Sequence, residues 1–347
     1  MSTSSLLQPK IIILGAGSIG CYIGGCLQAA GASITLLGRP RLQQQLGEHG
    51  LLLTDWQGRN NQLSPDHIDF SVSETVLQDA DFILVTVKSG DTATAARSIA
   101  SYAKANAVIV SLQNGIRNAA TLQQYLPGHR IIKTVVPFNV VDQGKGHFHC
   151  GTEGNLAIEQ QGPEAPLIEA LEKARLPVNR HTDISGVQWS KLIMNLNNAV
   201  NALAGIPVRE QLYNALYRQA MAACIQEALS ILKAANIKPT RAGKVIPALL
   251  PYILRLPTGV FKRIASSMLS IDPSARSSMN QDLQLGRKTE IDYLNGEIIQ
   301  LAHSLNLNAP INSLIVDLVK QAESNNEGSP HMTAEALFAR IRAVKPG

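Results

Sequence analysis

The run Ile11-Ile12-Ile13-Leu14 passes without a break into Gly15-Ala16-Gly17-Ser18-Ile19-Gly20 and then into a segment of helical character. Four consecutive aliphatics do not alternate between core and solvent. A strand made of them is covered on both faces, as in a parallel sheet flanked by helices. The glycines describe how that strand turns into a helix. Gly15 permits the tight turn, Gly17 lets the backbone approach a pyrophosphate, and Gly20 lets the helix pack closely on the strand. With Ala16, Ser18 and Ile19 they form a cradle in which unpaired helix N-terminal amides face an anion. The placement, strand before and helix after, separates this G-x-G-x-x-G from a merely structural glycine-rich turn.

The same alternation continues through the first half of the chain. Strand-length apolar runs lie at 10–14, 33–37, 82–88, 107–112 and 131–138, with helical stretches at 18–30, 92–103 and 117–125. This is the pattern of a doubly wound α/β domain of Rossmann type. After Phe138 two shorter runs, 147–150 and 155–160, read as an antiparallel hairpin added to that sheet. From about Ile184 the strands stop, and long helical patterns cover 189–203, 210–236, 275–305 and 310–323. The expected division is a dinucleotide-binding domain over 1–183 and a mainly α-helical substrate and catalytic domain over 184–347.

Composition removes several alternatives. Of 347 residues 45% are hydrophobic, enough to bury real cores, and only 4% are aromatic, too few for the stacking platforms of single-strand nucleic-acid binders. The net charge of +5 is local: residues 228–271 hold seven bases and no acid, so the rest of the chain sums to −2. That stretch reads as a solvated, proline-broken helical surface, and neither nucleic acid nor membrane is expected as a partner. Pro247, Pro251, Arg255 and Pro257 interrupt the most apolar segment, so no spanning helix is expected. Met1 to Pro9 lacks the features of a leader, and Cys21, Cys26, Cys150 and Cys224 form no CxxC pair. A cytoplasmic location is expected. His147 and His149 share one face of a strand with Cys150 on the other, so no metal site is expected.

Ligands of open α/β sheets bind beyond the carboxyl ends of the strands. The second strand ends in Gly38-Arg39 with no acid, which favours NADP(H) over NAD, because an arginine there accommodates a 2′-phosphate. Lys88 follows the 82–87 run, and Gln113-Asn114-Gly115 follows 108–112, although an Asn-Gly pair is equally a turn. In the helical half, Lys191, Asn195 and Asn198 stand at i, i+4 and i+7, on one helix face. Spacing alone does not bring Glu290 to Lys191.

The motifs GAGSIG, LVTVKS, LQNGI, WSKLIMN and SSMNQDLQLGRKTEIDYLNGEI occur in that order. In them the sequence resembles the ketopantoate reductase (2-dehydropantoate 2-reductase) family over essentially its whole length. The last two motifs are the specific ones. The resemblance implies an N-terminal Rossmann domain, a helical C-terminal domain and an active site between them. It implies NADPH-dependent reduction of 2-dehydropantoate to (R)-pantoate, a step toward pantothenate and coenzyme A. By match, Lys191 is the catalytic lysine and Glu290 its acidic partner in substrate handling. Asn195 and Ser278 fall on substrate-binding positions, Asn114 at the junction of cofactor and substrate, and Lys88 beside the cofactor. Counting forward from Lys191 puts the family's second helix asparagine at Ala199, while matching backward from Ala202-Leu203 selects Asn198. Asn198 is chosen because it keeps the face of Lys191. Two alternatives stand: a paralogue reducing another branched 2-oxo acid, and a non-catalytic NADP-binding sensor. Against the sensor, a pure binder has no need of a proton donor such as Lys191. A homodimer is allowed.

Overall fold

The computed structural model describes residues 8–241, 245–266, 272–273 and 275–344. Most of the Met1 to Pro9 stretch, and parts of the acid-free segment including Lys244, lie outside the described residues. The chain forms two compact units that divide between Ile184 and Ser185.

In the first unit the strands are β1 (Ile11–Leu14), β2 (Ile34–Leu37), β3 (Leu51–Asp55), β4 (Asn60–Leu63), β5 (Phe70–Ser71), β6 (Phe82–Val85), β7 (Val108–Ser111), β8 (Arg130–Val135), β9 (Val140–Asp142), β10 (His147–Cys150), β11 (Leu156–Glu159) and β12 (Val178–His181). Its helices are α1 (Ser18–Ala29), α2 (Pro40–His49), α3 (Thr92–Tyr102), α4 (Asn118–Tyr125) and α5 (Ala165–Lys173). The large sheet runs β12-β11-β8-β7-β6-β1-β2-β5. From β5 to β8 it is parallel, and every residue of β1, β2 and β6 is buried. The order reverses at β1 and β6, and this switch point opens the crevice in which such sheets bind ligands.

A second sheet, β4-β3-β10-β9, packs on the other side of α1. The helix fits between two sheets because its contact positions are glycines. A Cβ at Gly24 would lie 2.5 Å from Leu36 of the large sheet, and one at Gly25 2.5 Å from Leu51 of the small one. The expected hairpin of 147–150 with 155–160 is therefore corrected. β10 pairs in parallel with β3 and antiparallel with β9, whereas β11 joins the large sheet antiparallel to β8. Two features separate the runs. Gly154 takes φ +151°, a backbone state open to glycine, which turns the chain out of register. Thr54 of β3 also bonds both histidines of β10, at 2.8 Å to His147 Nε2 and 2.7 Å to His149 Nδ1.

The second unit is helical: α6 (Ser185–Asn195), α7 (Asn197–Ala204), α8 (Val208–Tyr213), α9 (Ala215–Ala234), α10 (Leu250–Leu254), α11 (Thr258–Ile264), α12 (Ser278–Gln284), α13 (Asn295–Ser304), α14 (Pro310–Asn325) and α15 (Ala334–Ala343). The long patterns break where local chemistry stops a helix. Asn214 leaves helical geometry and its side chain accepts from Leu216 N at 2.8 Å, so it caps α9 and splits the expected 210–236 helix. Gly286, at φ +60°, ends α12 and splits 275–305. At Leu196 the dihedrals stay right-handed helical (φ −58°, ψ −24°), so the interruption between α6 and α7 is slight. The core of this unit gathers Ala199, Val200, Leu203, Cys224, Ile315, Val319 and Leu337, all fully buried.

Candidate active site

The glycine cradle is built at the β1–β6 switch point. Gly15 sits at φ +103°, and a Cβ there would meet Val87 N at 2.7 Å. Gly20 packs so tightly that a Cβ would fall 2.7 Å from both Gly15 O and Thr86 Oγ1. Thr86 donates its hydroxyl to Gly15 O at 2.6 Å, which locks the turn to the end of β6. Gly17 is different. It is exposed, stands at the N-cap of α1, and a Cβ on it would meet nothing nearer than Gly15 O at 3.9 Å. Space is therefore open in front of the turn, and the first turn of α1 carries neither a capping side chain nor an acid. The amides of Ser18 and Ile19 in this turn, beside Ala16, fit an approaching phosphate.

The neighbouring strand ends bring the other expected groups toward the cradle. Gly15 N and Ala16 N both donate to Leu37 O of β2, at 3.1 and 3.0 Å. A Cβ at Gly38 would lie 2.8 Å from Ala16 Cβ, so the residue before Arg39 abuts the turn, and Arg39 itself is exposed at the head of α2. Lys88 is exposed just beyond β6, and Asn114 half-buried just beyond β7. A buried polar network holds those two loops. Gln113 Nε2 donates to Val87 O at 3.1 Å and to Thr92 Oγ1 at 2.7 Å, and Ser89 Oγ donates to Asn114 O at 2.9 Å. Gln113 was named in sequence only as part of a polar strand end, and Ser89, Thr92 and Asn118 were not singled out. The available signal was their density, four hydroxyl or amide side chains next to two strand ends.

In the helical unit, Lys191 lies half-buried on α6. Burial pushes its ammonium down to about 8, and the charge of Glu290 opposes that shift. Glu290 stands before a short 3₁₀ turn, Ile291–Tyr293, whose approach is fixed because Thr289 N donates to Glu323 Oε1 of α14 at 2.8 Å. Asn195 and Asn198 are half-buried like Lys191, whereas Ala199 is fully buried in the core. Ser278 is exposed at the first position of α12. Its neighbour Ser277 caps that helix, accepting from Asn280 N at 3.1 Å, and donates to Asn198 O at 3.0 Å. Ser277 N in turn donates to Asn201 Oδ1 at 2.9 Å, and Gln211 Nε2 to Asn197 Oδ1 at 2.6 Å. Buried Asn201 thus holds the head of α12 to α7 and buried Gln211 holds α8 to α7, and both were missed because they read as ordinary helix polar residues.

The four cysteines are free and buried, and burial pushes the thiols of Cys26 and Cys224 up to about 12. Among the described residues no group of three His, Cys, Asp or Glu is arranged to hold a metal ion, and no helix is long and apolar enough to cross a membrane.

A glycine cradle at the switch point of a doubly wound sheet, followed by a helical unit with a depressed-pKa lysine, is the plan of a nicotinamide-dinucleotide-dependent oxidoreductase. The comparisons narrow that class. The family described as "Ketopantoate reductase PanE/ApbA" matches residues 11–162, and its C-terminal counterpart matches residues 183–323. A 2-dehydropantoate 2-reductase of Pyrococcus horikoshii is 29% identical over 92% of this chain and 99% of its own. The crystal structure of a PanE/ApbA family ketopantoate reductase from Ralstonia eutropha superposes with TM-score 0.78 at 30% identity, over 92% of this chain and 99% of that one. A D-mandelate dehydrogenase bound to NADH and anilino(oxo)acetate shares the fold at TM-score 0.74 and 21% identity, over 91% and 99%. The chain belongs to the ketopantoate reductase family.

Proposed function

We propose that this chain is a cytoplasmic reductase that converts 2-dehydropantoate to (R)-pantoate with NADPH, supplying pantothenate and coenzyme A synthesis. The observation that carries the reading is Lys191, a half-buried ammonium lowered to about 8 with the carboxylate of Glu290 acting on it. A reduced nicotinamide, when bound, supplies hydride to the ketone carbon. The ketone oxygen then gains negative charge, which Lys191 Nζ stabilises before giving it a proton. A lysine near 8 is still mostly protonated at neutral pH, yet releases its proton more readily than one at 10.5.

Glu290 keeps the lysine charged and accepts from a substrate hydroxyl. Asn195, Asn198, Ser278 and Asn114 offer amide and hydroxyl donors to the α-keto carboxylate. On the cofactor side, Gly15 to Gly20 hold the pyrophosphate, Lys88 lies beside the dinucleotide, and Arg39 meets the 2′-phosphate at a strand end without an acid.

Purified protein should consume NADPH with 2-dehydropantoate in preference to other 2-oxo acids, and Lys191→Ala should not. Tight NADPH binding without turnover of any 2-oxo acid would end the reading. One observation favours a second reading, a paralogue for another branched 2-oxo acid. Where forward counting expects the family's second asparagine, the chain has Ala199, fully buried and without a polar group to offer. A large kcat/KM preference for a different oxo acid would select it.

A further inference from the structure

We propose that Asn118 is a positioning residue of the dinucleotide site, its side-chain amide coupling the loop that carries Lys88 to the loop that carries Asn114. The inference rests on the proposed roles of those two residues. β6 and β7 are adjacent parallel strands, and their ladder ends at the Val85–Ser111 pair and Leu112 N→Val85 O, 2.9 Å. Beyond that point side chains connect the two loops.

Asn118 is the first residue of α4 and is 5% exposed. Its Nδ2 donates to Asn114 O and, at 3.1 Å, to Ser89 Oγ, while its Oδ1 lies 2.9 Å from Thr92 Oγ1. One amide thus touches Ser89, next to Lys88, and Asn114 itself. The Asn114 carbonyl takes two side-chain donors, from Asn118 and from Ser89 at 2.9 Å, and these orient the peptide that leads into Gly115 at φ +93°. Because the amide is buried and reaches both loops, a displacement of either one strains the bonds to the other. Lys88 and Asn114 therefore grip the dinucleotide as a unit.

A double-mutant cycle tests this. The dissociation constant of NADPH is measured by fluorescence titration for Lys88→Ala, Asn114→Ala and the pair, in the wild type and in Asn118→Ala. Asn118→Ala alone is expected to weaken NADPH about tenfold. In the wild type the pair should depart from additivity by about fivefold, and in Asn118→Ala the departure should vanish. The same non-additivity in both backgrounds, or additivity in both, overturns the proposal. Should Asn118→Ala not fold, Ser89→Ala removes the other donor on the Asn114 carbonyl and is expected to abolish the coupling likewise. The titration needs no turnover, so a wrong substrate leaves it intact. A wild type that does not bind NADPH overturns the dinucleotide reading and this proposal together.

Discussion

Glu290 acts on Lys191 across the fold of the helical unit, from a loop anchored on α14 to a residue on α6, and its charge opposes the stronger effect of burial on that lysine. Ninety-nine positions separate them in the chain. Burial lowers the ammonium's affinity for its proton, and Glu290 is a neighbour that favours its charged form. Lys191→Ala should reduce NADPH-dependent turnover by about 10²–10⁴-fold while leaving the NADPH dissociation constant near its original value. Equal losses in binding and turnover would show that the lysine holds cofactor rather than handling the substrate's proton.

The pH profile follows with a definite sign. A proton donor at about 8 is protonated below that value, so kcat should be level at neutral pH and fall as pH rises through about 8. Glu290 raises the lysine's pKa, so Glu290→Gln should move the falling limb to lower pH. A limb that stays in place would remove Glu290 from this role. Stability carries the opposite signature. The unfolded lysine binds its proton more tightly than the folded one, so the penalty for burying the charge is complete below about 8 and is relieved as pH rises toward 10.5. Lys191→Met should therefore raise Tm at pH 7, with the gain shrinking above pH 8.

The three fingerprint glycines should separate by experiment. Gly15→Ala places a Cβ 2.7 Å from a backbone nitrogen at φ +103°, and Gly20→Ala drives one into Gly15 O and Thr86 at 2.7 Å. Each should destabilise the first unit by about 2–3 kcal/mol. Gly17→Ala meets only one atom, at 3.9 Å, on extended backbone. It should keep stability within about 1 kcal/mol of wild type and still weaken NADPH binding tenfold or more. Calorimetry and titration on the same three proteins check the contrast.

These glycines also show how much was legible in advance. A strand of four aliphatics, a glycine turn and a helix are consecutive in sequence, so their local rules identify the element and its use together. The second sheet was not legible, because β3 pairs with β10 residues 95 positions away. Its signal was faint: the Leu-rich run before Asp55 and the turn at Gly58 suggest a hairpin but not its partner. Helix spacing set Lys191, Asn195 and Asn198 on one face but did not separate a site from a solvated stripe, and their proposed roles came from the family resemblance. The approach of Glu290 to Lys191 depends on how α14 anchors a loop, which no spacing encodes, and it entered only through family resemblance. The supports Asn118 and Asn201, and the supporting roles of Gln113 and Ser277, were not legible because buried amides and hydroxyls have no periodicity of their own.

Arg39 tests the choice of dinucleotide. It is exposed at the start of α2, one residue beyond a glycine that abuts the cradle. If it meets a 2′-phosphate, Arg39→Ala should weaken NADPH by about tenfold or more and change NADH little, since a charge-assisted bond contributes roughly 1.5–3 kcal/mol. Parallel losses for both cofactors would mean that Arg39 does not read the phosphate.

Arg218 explains how the basic segment stays attached to its unit. It is 1% exposed, on α9, and its acceptors among the described residues are all neutral. Its guanidinium donates to Leu212 O at 2.9 Å, Leu254 O at 3.1 Å, Leu256 O at 3.0 Å and Thr258 Oγ1 at 3.2 Å, and lies 4.5 Å from the centre of the Phe261 ring. These bonds clamp α10 and the head of α11 to α9, the stretch in which prolines prevent a continuous helix. Burial lowers its pKa, though an arginine keeps its charge. Arg218→Lys retains that charge but cannot span four acceptors from one planar fork, so carbonyls are left unpaired in the interior. The variant should lose on the order of 3 kcal/mol, read as a lower denaturant midpoint, and should become susceptible to proteolysis between Leu250 and Ile264. A variant as stable and protease-resistant as wild type would show that the segment is held by its apolar contacts alone.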